Sequence, residues 1–327
     1  MIKKAICFMM CAAALSLSAC GTGSMSANIP DSSKLSVVCS TFSCYDWTRE
    51  IMGSHAQDAE ITYLLENGAD LHNYQPTAAD IVKISSCDVF IYVGGESDGW
   101  AEDALKEATN KDMKVVKLLD AEGLTAKEEE LKEGMEAEEE ESTEGEEEPE
   151  YDEHVWLSVR NAELLCDDIT AKLCQADPGN TEDYKANCEE YKKKLSELDD
   201  KFSKMADEAQ DKTLVFGDRF PFRYLCDDYG IDYYAAFVGC SAETEASFET
   251  VAFLADKVDE LGASTIFTLE NSDGRIAQSI KQNTDGKDQE IAVLDSIQSV
   301  DKAQIDAGTT YISMMEENCE AIRKAII

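Results

Sequence analysis

The chain contains three histidines, which are among the residues best suited to hold a metal ion. His72 lies in a loop between a predicted strand and a predicted helix, and His154 also precedes a predicted helix. Loops at the carboxyl ends of strands bind ligands in open α/β sheets, and neutral imidazole is a common zinc ligand. The positions of His72 and His154 therefore indicate a candidate metal site, with ordinary loop histidines as the alternative. His55 lies in a polar turn and is expected at the surface.

An acidic run immediately precedes His154. Residues 128–153 are rich in glutamate and aspartate, and such a run of like charges is expected to be solvated and without regular structure. An inert loop and a cation-attracting loop both fit this composition, and the position before His154 favours cation attraction. The whole chain has a formal net charge of −39 over 327 residues. Such a surface repels nucleic acid, so no nucleic-acid partner is expected.

The N-terminus has the pattern of a targeting segment. Two lysines precede an apolar run over residues 5–17, which is too short for a membrane span. The run ends in Leu-Ser-Ala-Cys-Gly, which resembles a bacterial lipobox. The sequence predicts a signal peptide over residues 1–20, lipidation of Cys20 and a polar tether over residues 21–34. The protein would then be lipid-anchored on the extracytoplasmic side of a bacterial membrane. An ordinary signal peptide that contains a cysteine is the alternative.

Nine cysteines follow the lipobox, and no Cys-x-x-Cys motif occurs. Export would permit disulfides. However, the number is odd, and most of these cysteines lie in apolar stretches, which favours buried free thiols. They are Cys39, Cys44, Cys87, Cys166, Cys174, Cys188, Cys226, Cys240 and Cys319.

Strands and helices alternate in two halves of the chain. Residues 35–180 and residues 211–327 each show this alternation, which predicts an α/β fold of two lobes, each a parallel sheet with helices on both faces. The predicted elements include a helix that begins at Thr77, an N-cap residue with an acid three positions later, and a strand over residues 231–237. Residues 181–210 carry one apolar stripe at helical spacing, which predicts a single long rigid helix that joins the lobes, with a short coiled coil as the alternative. The stripe consists of Tyr184, Cys188, Tyr191, Leu195, Leu198, Phe202 and Met205.

Motifs of hydrolytic enzymes are missing from the sequence. A zinc hydrolase would need an open coordination position and a general base, as in His-Glu-x-x-His, and this motif does not occur. Gly-x-Ser-x-Gly and Walker motifs are also absent from the sequence. We therefore expect a binding protein rather than an enzyme, and a surface adhesin with a metal site remains an alternative.

Several motifs together resemble the zinc and manganese solute-binding lipoproteins of ABC transporters. They occur in order from about Leu35 to the C-terminus, and they read LHNYQPTAADI, FIYVGGESDGW, EHVWLSVRNAE, FGDRFPFRYLCDDYGI and AGTTYISMMEENCEAI. The resemblance implies two α/β lobes joined by one long helix, with a divalent metal held between them. It also implies delivery of the metal to a membrane permease and its ATPase. A monomer is expected. Family members often carry a loop rich in histidine and acid before the second ligand, which matches the acidic run.

The same resemblance implies a set of metal ligands. His72 matches the first ligand and His154 the second. The family's third ligand normally follows the first strand of the second lobe and is often histidine, but here Phe216 is followed by Gly-Asp-Arg. Asp218 is the first choice for this ligand, and Asp295 at the end of a late strand fits the fourth.

Other interpretations of the second-lobe ligands stay open. Cys240, Glu243 or a water molecule are alternatives to Asp218 as ligand. The Asp218 carboxylate would then pair with a nearby arginine, and Asp295 would otherwise cap a helix or turn. Two imidazoles with carboxylates suit zinc, and manganese or iron is the alternative cation.

Overall fold

Four parallel strands form the sheet of the N-terminal half. The computed structural model describes residues 34–136, 150–241 and 245–327. The strand order in this sheet is β2-β1-β3-β4. Strand β3 is buried along its whole length, as expected for a parallel sheet with both faces covered. The strands are β1 (Ser36–Cys39), β2 (Glu60–Tyr63), β3 (Val89–Tyr92) and β4 (Lys114–Lys117).

Helices connect and cover these strands. The predicted helix start at Thr77 is confirmed, because its side chain accepts a hydrogen bond from the Asp80 backbone while the Asp80 side chain bonds back to Thr77. This capping box satisfies two free N–H groups at the helix start. The helices of this half are α1 (Phe42–Met52), α2 (Ala78–Ser86), α3 (Trp100–Lys106) and α4 (Val159–Ala176).

One helix of 28 residues follows, α5 (Thr181–Glu208). All seven residues of its predicted apolar stripe are buried. Helix α5 packs against α1 and α4 of the first half, and it also contacts α6 (Arg223–Tyr229) and α10 (Tyr311–Ile326) of the second. A single helix that lies along both halves is therefore confirmed.

The second half is built from short parallel pairs. Strand β5 (Thr213–Val215) pairs with β7 (Asp232–Tyr234), and β9 (Thr265–Thr268) pairs with β10 (Glu290–Val293). A bridge between Phe216 and Phe267 joins the two pairs. The α/β fold class is confirmed. Because Lys34–Ile327 form one compact unit, the lobe boundaries at residues 35–180 and 211–327 remain a prediction.

The strand predicted over residues 231–237 is wrong in its extent. It ends after β7, and the chain then crosses to form β8 (Phe237–Val238) with a different partner, β6 (Arg219–Phe220). The backbone N–H of Ala236 bonds to the carbonyl of Asp218, which turns the chain toward this second pair. The remaining helices are α7 (Phe248–Leu261), α8 (Arg275–Asn283) and α9 (Lys302–Asp306).

The segment around His154 joins the two halves. The Trp156 indole donates to the carbonyl of Ser296 at 2.9 Å, and the Tyr311 hydroxyl donates to the carbonyl of Trp156 at 2.7 Å. Both aromatic side chains are fully buried. Buried hydrogen bonds of this kind fix the segment in place, because breaking one leaves an unsatisfied polar group.

The nine cysteines after the lipobox are all free thiols, as the sequence predicts, and seven of them are buried. The described residues include no helix with the length and apolar character needed to cross a bilayer.

Candidate metal site

His72 is held by a short turn at the edge of the first sheet. It lies in a single 3₁₀ turn, Leu71–Asn73, whose preceding residue Asp70 accepts a hydrogen bond from the His72 backbone at 3.0 Å. The His72 Nδ1 atom lies 2.7 Å from the Ser97 hydroxyl, at the end of the loop that follows β3. This contact fixes the plane of the imidazole and leaves Nε2 directed away from Ser97.

His154 is fixed by the last residues of the acidic run. Its side chain is fully buried. One carboxylate oxygen of Asp152 accepts the His154 backbone N–H at 2.9 Å and lies 2.8 Å from Nδ1 of the same residue. The Nδ1 atom therefore donates its hydrogen to Asp152, which leaves a lone pair on Nε2. A carboxylate behind an imidazole is the usual support of a histidine that binds metal.

The two imidazoles face each other. The Nε2 atoms of His72 and His154 are 3.1 Å apart, and the ring centroids are 5.1 Å apart. Two zinc–nitrogen bonds of about 2.0–2.1 Å at a tetrahedral angle place their nitrogens about 3.3 Å apart. The separation in the protein is thus close to that of two imidazoles on one zinc ion.

Both imidazoles are neutral at physiological pH. Burial, together with the neighbouring His154, lowers the pKa of His72 to about 3. Burial also lowers the pKa of His154 to about 4, against the opposing effect of the Glu129 carboxylate. Only neutral imidazole binds a metal, so protons do not compete for these two nitrogens near pH 7. The Ser97 hydroxyl can donate or accept, so it can support His72 in the form that presents a lone pair on Nε2.

Two residues of the second half approach the same point. The sulfur of Cys240 forms a group with ligand atoms of His72 and His154 in which all three lie within 4.8 Å of one another. The Gln298 amide nitrogen lies 3.1 Å from His154 Nε2. Gln298 is 1% exposed, and its amide oxygen accepts no hydrogen bond within the described part of the chain.

Three buried or largely buried carboxyl groups surround the histidines. Glu129, Asp152 and His154 form a second group of potential ligands within 4.8 Å. Burial raises the pKa of Asp152 and that of Glu153 to about 7, and it also raises the pKa of Glu129. A divalent cation placed among these groups would stabilise their ionised forms. The acidic run therefore contributes buried carboxyl groups at the site, through residues whose sequence pattern predicts only cation attraction.

Asp218 supports the backbone beside the site. One of its oxygens accepts the N–H of Arg219 at 2.9 Å, and the other accepts the N–H of Leu269 at 3.3 Å. It borders a cavity of about 320 Å³. Arg219 pairs at 2.6 Å with Asp70 rather than with Asp218. Asp218 is in neither three-residue group found among the described residues, and its role as a ligand remains a prediction.

Asp295 has the geometry of a turn cap. Its carboxylate accepts the N–H of Ile297 at 2.7 Å. Burial, together with the nearby Glu270 carboxylate, raises the pKa of Asp295 to about 7. It too is absent from both groups of potential ligands in the described residues, so its role as a ligand also remains a prediction.

Some predicted residues lie outside the described part of the chain, namely Cys20, Glu243 and residues 137–149 of the acidic run. His55, expected at the surface, is partly exposed and lies 2.8 Å from the exposed Asp183 carboxylate.

The residues that hold the imidazoles were not predicted from the sequence. No sequence motif links Ser97 to His72 or Gln298 to His154, because each contacts a histidine that is distant in sequence. Asp152 is different, since an acid two residues before His154 is visible in the sequence. Its carboxylate could have been recognised as a histidine partner rather than as part of a uniform acidic run.

Comparisons with known proteins agree with this geometry. The family model for zinc-uptake complex component A, periplasmic (ZnuA), matches residues 37–325. The high-affinity zinc uptake system protein ZnuA of Bacillus subtilis is 28% identical over 321 residues, which cover 98% of this chain and 97% of that protein. The zinc-binding lipoprotein AdcA of Streptococcus pneumoniae is 29% identical over 292 residues, which cover 89% of this chain and 56% of AdcA. The chain thus spans about half the length of that relative.

A solved structure gives the same result at the level of the fold. The crystal structure of the Zn(II)-bound ZnuA-like domain of S. pneumoniae AdcA matches with a TM-score of 0.71 and 26% identity, covering 90% of this chain and 99% of that domain. The resemblance found in the sequence is therefore confirmed. Because the family match runs from the first strand to the last helix, the chain belongs to the ZnuA family of zinc-uptake proteins.

Proposed function

We propose that this protein is the extracytoplasmic solute-binding component of a metal ABC importer. It captures one divalent cation, preferentially zinc, and delivers it to a membrane permease that an ATPase drives. The observation that carries the proposal is the 3.1 Å separation of the Nε2 atoms of His72 and His154. Each ring is oriented by a partner on its other nitrogen, so both lone pairs can point to one ion without rearrangement of the backbone.

The comparisons support zinc as the transported ion. Two relatives carry zinc in their names, and the matched AdcA domain was solved with zinc bound. Manganese or iron is the alternative, because two imidazoles with carboxylates also suit these ions. Members of the family are components of a zinc-uptake complex. The protein is therefore expected to hold its metal stoichiometrically and to hydrolyse nothing.

Competition between metals tests the identity of the ion. Purified protein should bind one zinc per chain, and zinc should remain bound in a large excess of manganese. His72→Ala should weaken zinc binding by orders of magnitude, because one of a few ligands is lost. His55→Ala is the matched control, since His55 pairs with a surface carboxylate, and it should bind zinc like the wild type. Equal zinc affinity in all three proteins would refute the proposal.

We also propose that Cys20 carries the lipid anchor. A lipobox-like sequence ends at this residue, and the S. pneumoniae relative is named a lipoprotein. Acyl chains on the new N-terminus would hold the protein on the outer face of the cell membrane, near its permease. Cys20→Ala should leave the protein uncleaved or released from membranes. A normally processed, membrane-bound variant would contradict the assignment.

A further inference from the structure

Cys240 differs from the other described thiols in its surroundings. Seven of the nine are buried, whereas Cys174 and Cys240 are half-buried. Within the described residues, Cys240 is the cysteine whose sulfur groups with two imidazoles. It follows Gly239, where an added Cβ would come within 3.1 Å of the His154 ring. The backbone before Cys240 therefore packs tightly against the His154 ring, with little room for a side chain at position 239.

We propose that Cys240 provides a thiolate ligand, so that the second half of the protein contributes sulfur to the metal and selects zinc over manganese. The inference rests on the proposed function, because it assumes that His72 and His154 bind a cation. Under this proposal, Cys240 is the residue that makes the site prefer zinc over manganese.

The geometry requires only a small movement. Zinc–sulfur bonds of about 2.3 Å and zinc–nitrogen bonds of about 2.0–2.1 Å place sulfur about 3.6 Å from each nitrogen in a tetrahedral site. The potential ligand atoms of His72, His154 and Cys240 lie within 4.8 Å of one another, so a shift of about 1 Å brings them to the spacing of a tetrahedral zinc site. The Glu129 carboxylate accepts the Cys240 backbone N–H at 3.2 Å, which holds this loop beside the histidines.

Gln298 supplies a second, independent observation. Its amide nitrogen lies 3.1 Å from His154 Nε2, while its buried oxygen is unpartnered within the described residues. A half-turn of the amide exchanges the two atoms and directs the oxygen toward the point that His72 and His154 face. An amide oxygen, two imidazoles and a thiolate together give the four ligands that zinc usually takes.

The charges of such a site balance. When zinc binds, the S–H bond of Cys240 breaks, its electron pair forms the zinc–sulfur bond, and the proton leaves to solvent. One thiolate leaves a net charge of +1 on the ion and its ligands, and the nearby Glu129 and Asp152 carboxyls can compensate this charge. Thiolate suits zinc, whereas manganese prefers carboxylate, carbonyl and water oxygens. Sulfur at this position therefore disfavours manganese.

Cobalt(II) provides a direct probe, because thiolate bound to Co²⁺ gives an intense charge-transfer absorption in the near ultraviolet. The full mature chain is titrated with Co²⁺ in a reducing buffer, as wild type, Cys240→Ser, Cys174→Ser and His72→Ala. We expect the absorption in the wild type and in Cys174→Ser, the matched half-buried control, and its loss in Cys240→Ser. Zinc affinity of Cys240→Ser should fall by at least about tenfold while manganese affinity changes little. Circular dichroism confirms that each variant is folded.

The outcomes separate the two proposals. If the wild type binds Co²⁺ through His72 but shows no charge-transfer absorption, or if Cys240→Ser retains it, the thiolate assignment is wrong and the proposed function stands. Loss of the absorption in Cys174→Ser as well would also overturn the assignment to Cys240. If the wild type binds neither Co²⁺ nor Zn²⁺, both proposals fail.

Discussion

Replacing Asp152 with asparagine should lower the zinc affinity and raise the stability of the metal-free protein at high pH. Asp152 is fully buried, and a single oxygen of its carboxylate contacts both the backbone N–H and the Nδ1 atom of His154. Asparagine can keep an oxygen at this position, so the imidazole should retain its orientation. The variant removes the negative charge behind the ligand and leaves the shape of the site nearly unchanged.

The magnitude follows from the raised pKa of Asp152, which is about 7 instead of 3.8 because of burial. A carboxyl group with a raised pKa contributes stability that is fully present below its unfolded pKa and is lost as the pH rises through the folded value. The slope is about 1.4 kcal/mol per pH unit and applies from pH 5 up to the folded pKa of about 7. The free energy of unfolding of the wild type should therefore fall by up to about 3 kcal/mol between pH 5 and pH 8. Asparagine does not ionise, so its variant should not lose this stability. Between pH 5 and pH 8, the free energy of unfolding of Asp152→Asn should therefore rise relative to that of the wild type by up to about 3 kcal/mol.

Zinc affinity should change in the opposite direction. Removing the carboxylate behind a metal-bound imidazole typically costs 10–100-fold in affinity. Urea unfolding of metal-free protein at pH 5 and pH 8 measures the stability shift, and a competitive zinc titration measures the affinity. Asp183→Asn is the matched control, because Asp183 lies the same 2.8 Å from a histidine but is exposed. If Asp152→Asn shows neither the pH-dependent gain in stability nor the loss of zinc affinity, the Asp152 carboxylate does not act on His154 in this way.

Three further changes test the support of the site. In Gly239→Ala, the new Cβ would come within 3.1 Å of the His154 ring, so zinc affinity should fall and stability should drop by about 1–3 kcal/mol, measured by titration and urea unfolding. Ser97→Ala removes the partner of His72 Nδ1 and should lower zinc affinity by about tenfold. Deletion of residues 137–149 should leave equilibrium affinity unchanged. It should slow zinc loading at low salt in stopped-flow measurements, because the deleted carboxylates attract cations. This difference should shrink at 0.1 M salt, where charges are screened beyond about 10 Å.

Each of these changes has a control or a contradicting result. Gly179→Ala is the control for Gly239→Ala, because its Cβ would meet only Asp177 at 3.6 Å. Ser86→Ala is the control for Ser97→Ala, since its exposed hydroxyl bonds only within its own helix. Loss of tight zinc binding on deletion of residues 137–149 would show that the acidic run itself supplies a ligand.

Local patterns were sufficient to predict most of the fold. The apolar stripe from Tyr184 to Met205 predicted α5, and the capping box at Thr77 predicted the start of α2, because both signals lie within one element. The strand over residues 231–237 was mispredicted. In the structure this segment divides into two short strands, β7 and β8, because the first pairs with β5 and the second with β6. No local pattern specifies which strand a short apolar segment will pair with.

The candidate site was predictable only in part. His72 and His154 were identified because histidine is rare in this chain and because their motifs resemble those of a known family. Gln298 was missed because its contact with His154 spans 144 positions and its residue type is not typical of metal ligands. Asp218 was chosen from its position after β5, but hydrogen bonds with Arg219 and Leu269 engage both of its oxygens, which only the folded chain reveals.

One equilibrium zinc titration against a chromophoric chelator tests whether His72 and His154 hold the metal. It compares the wild type with a double variant in which both His72 and His154 are alanine. We expect one tightly bound zinc per wild-type chain and an affinity lower by orders of magnitude in the folded double variant. One zinc bound per chain with wild-type affinity in the double variant would show that these two histidines do not hold the metal.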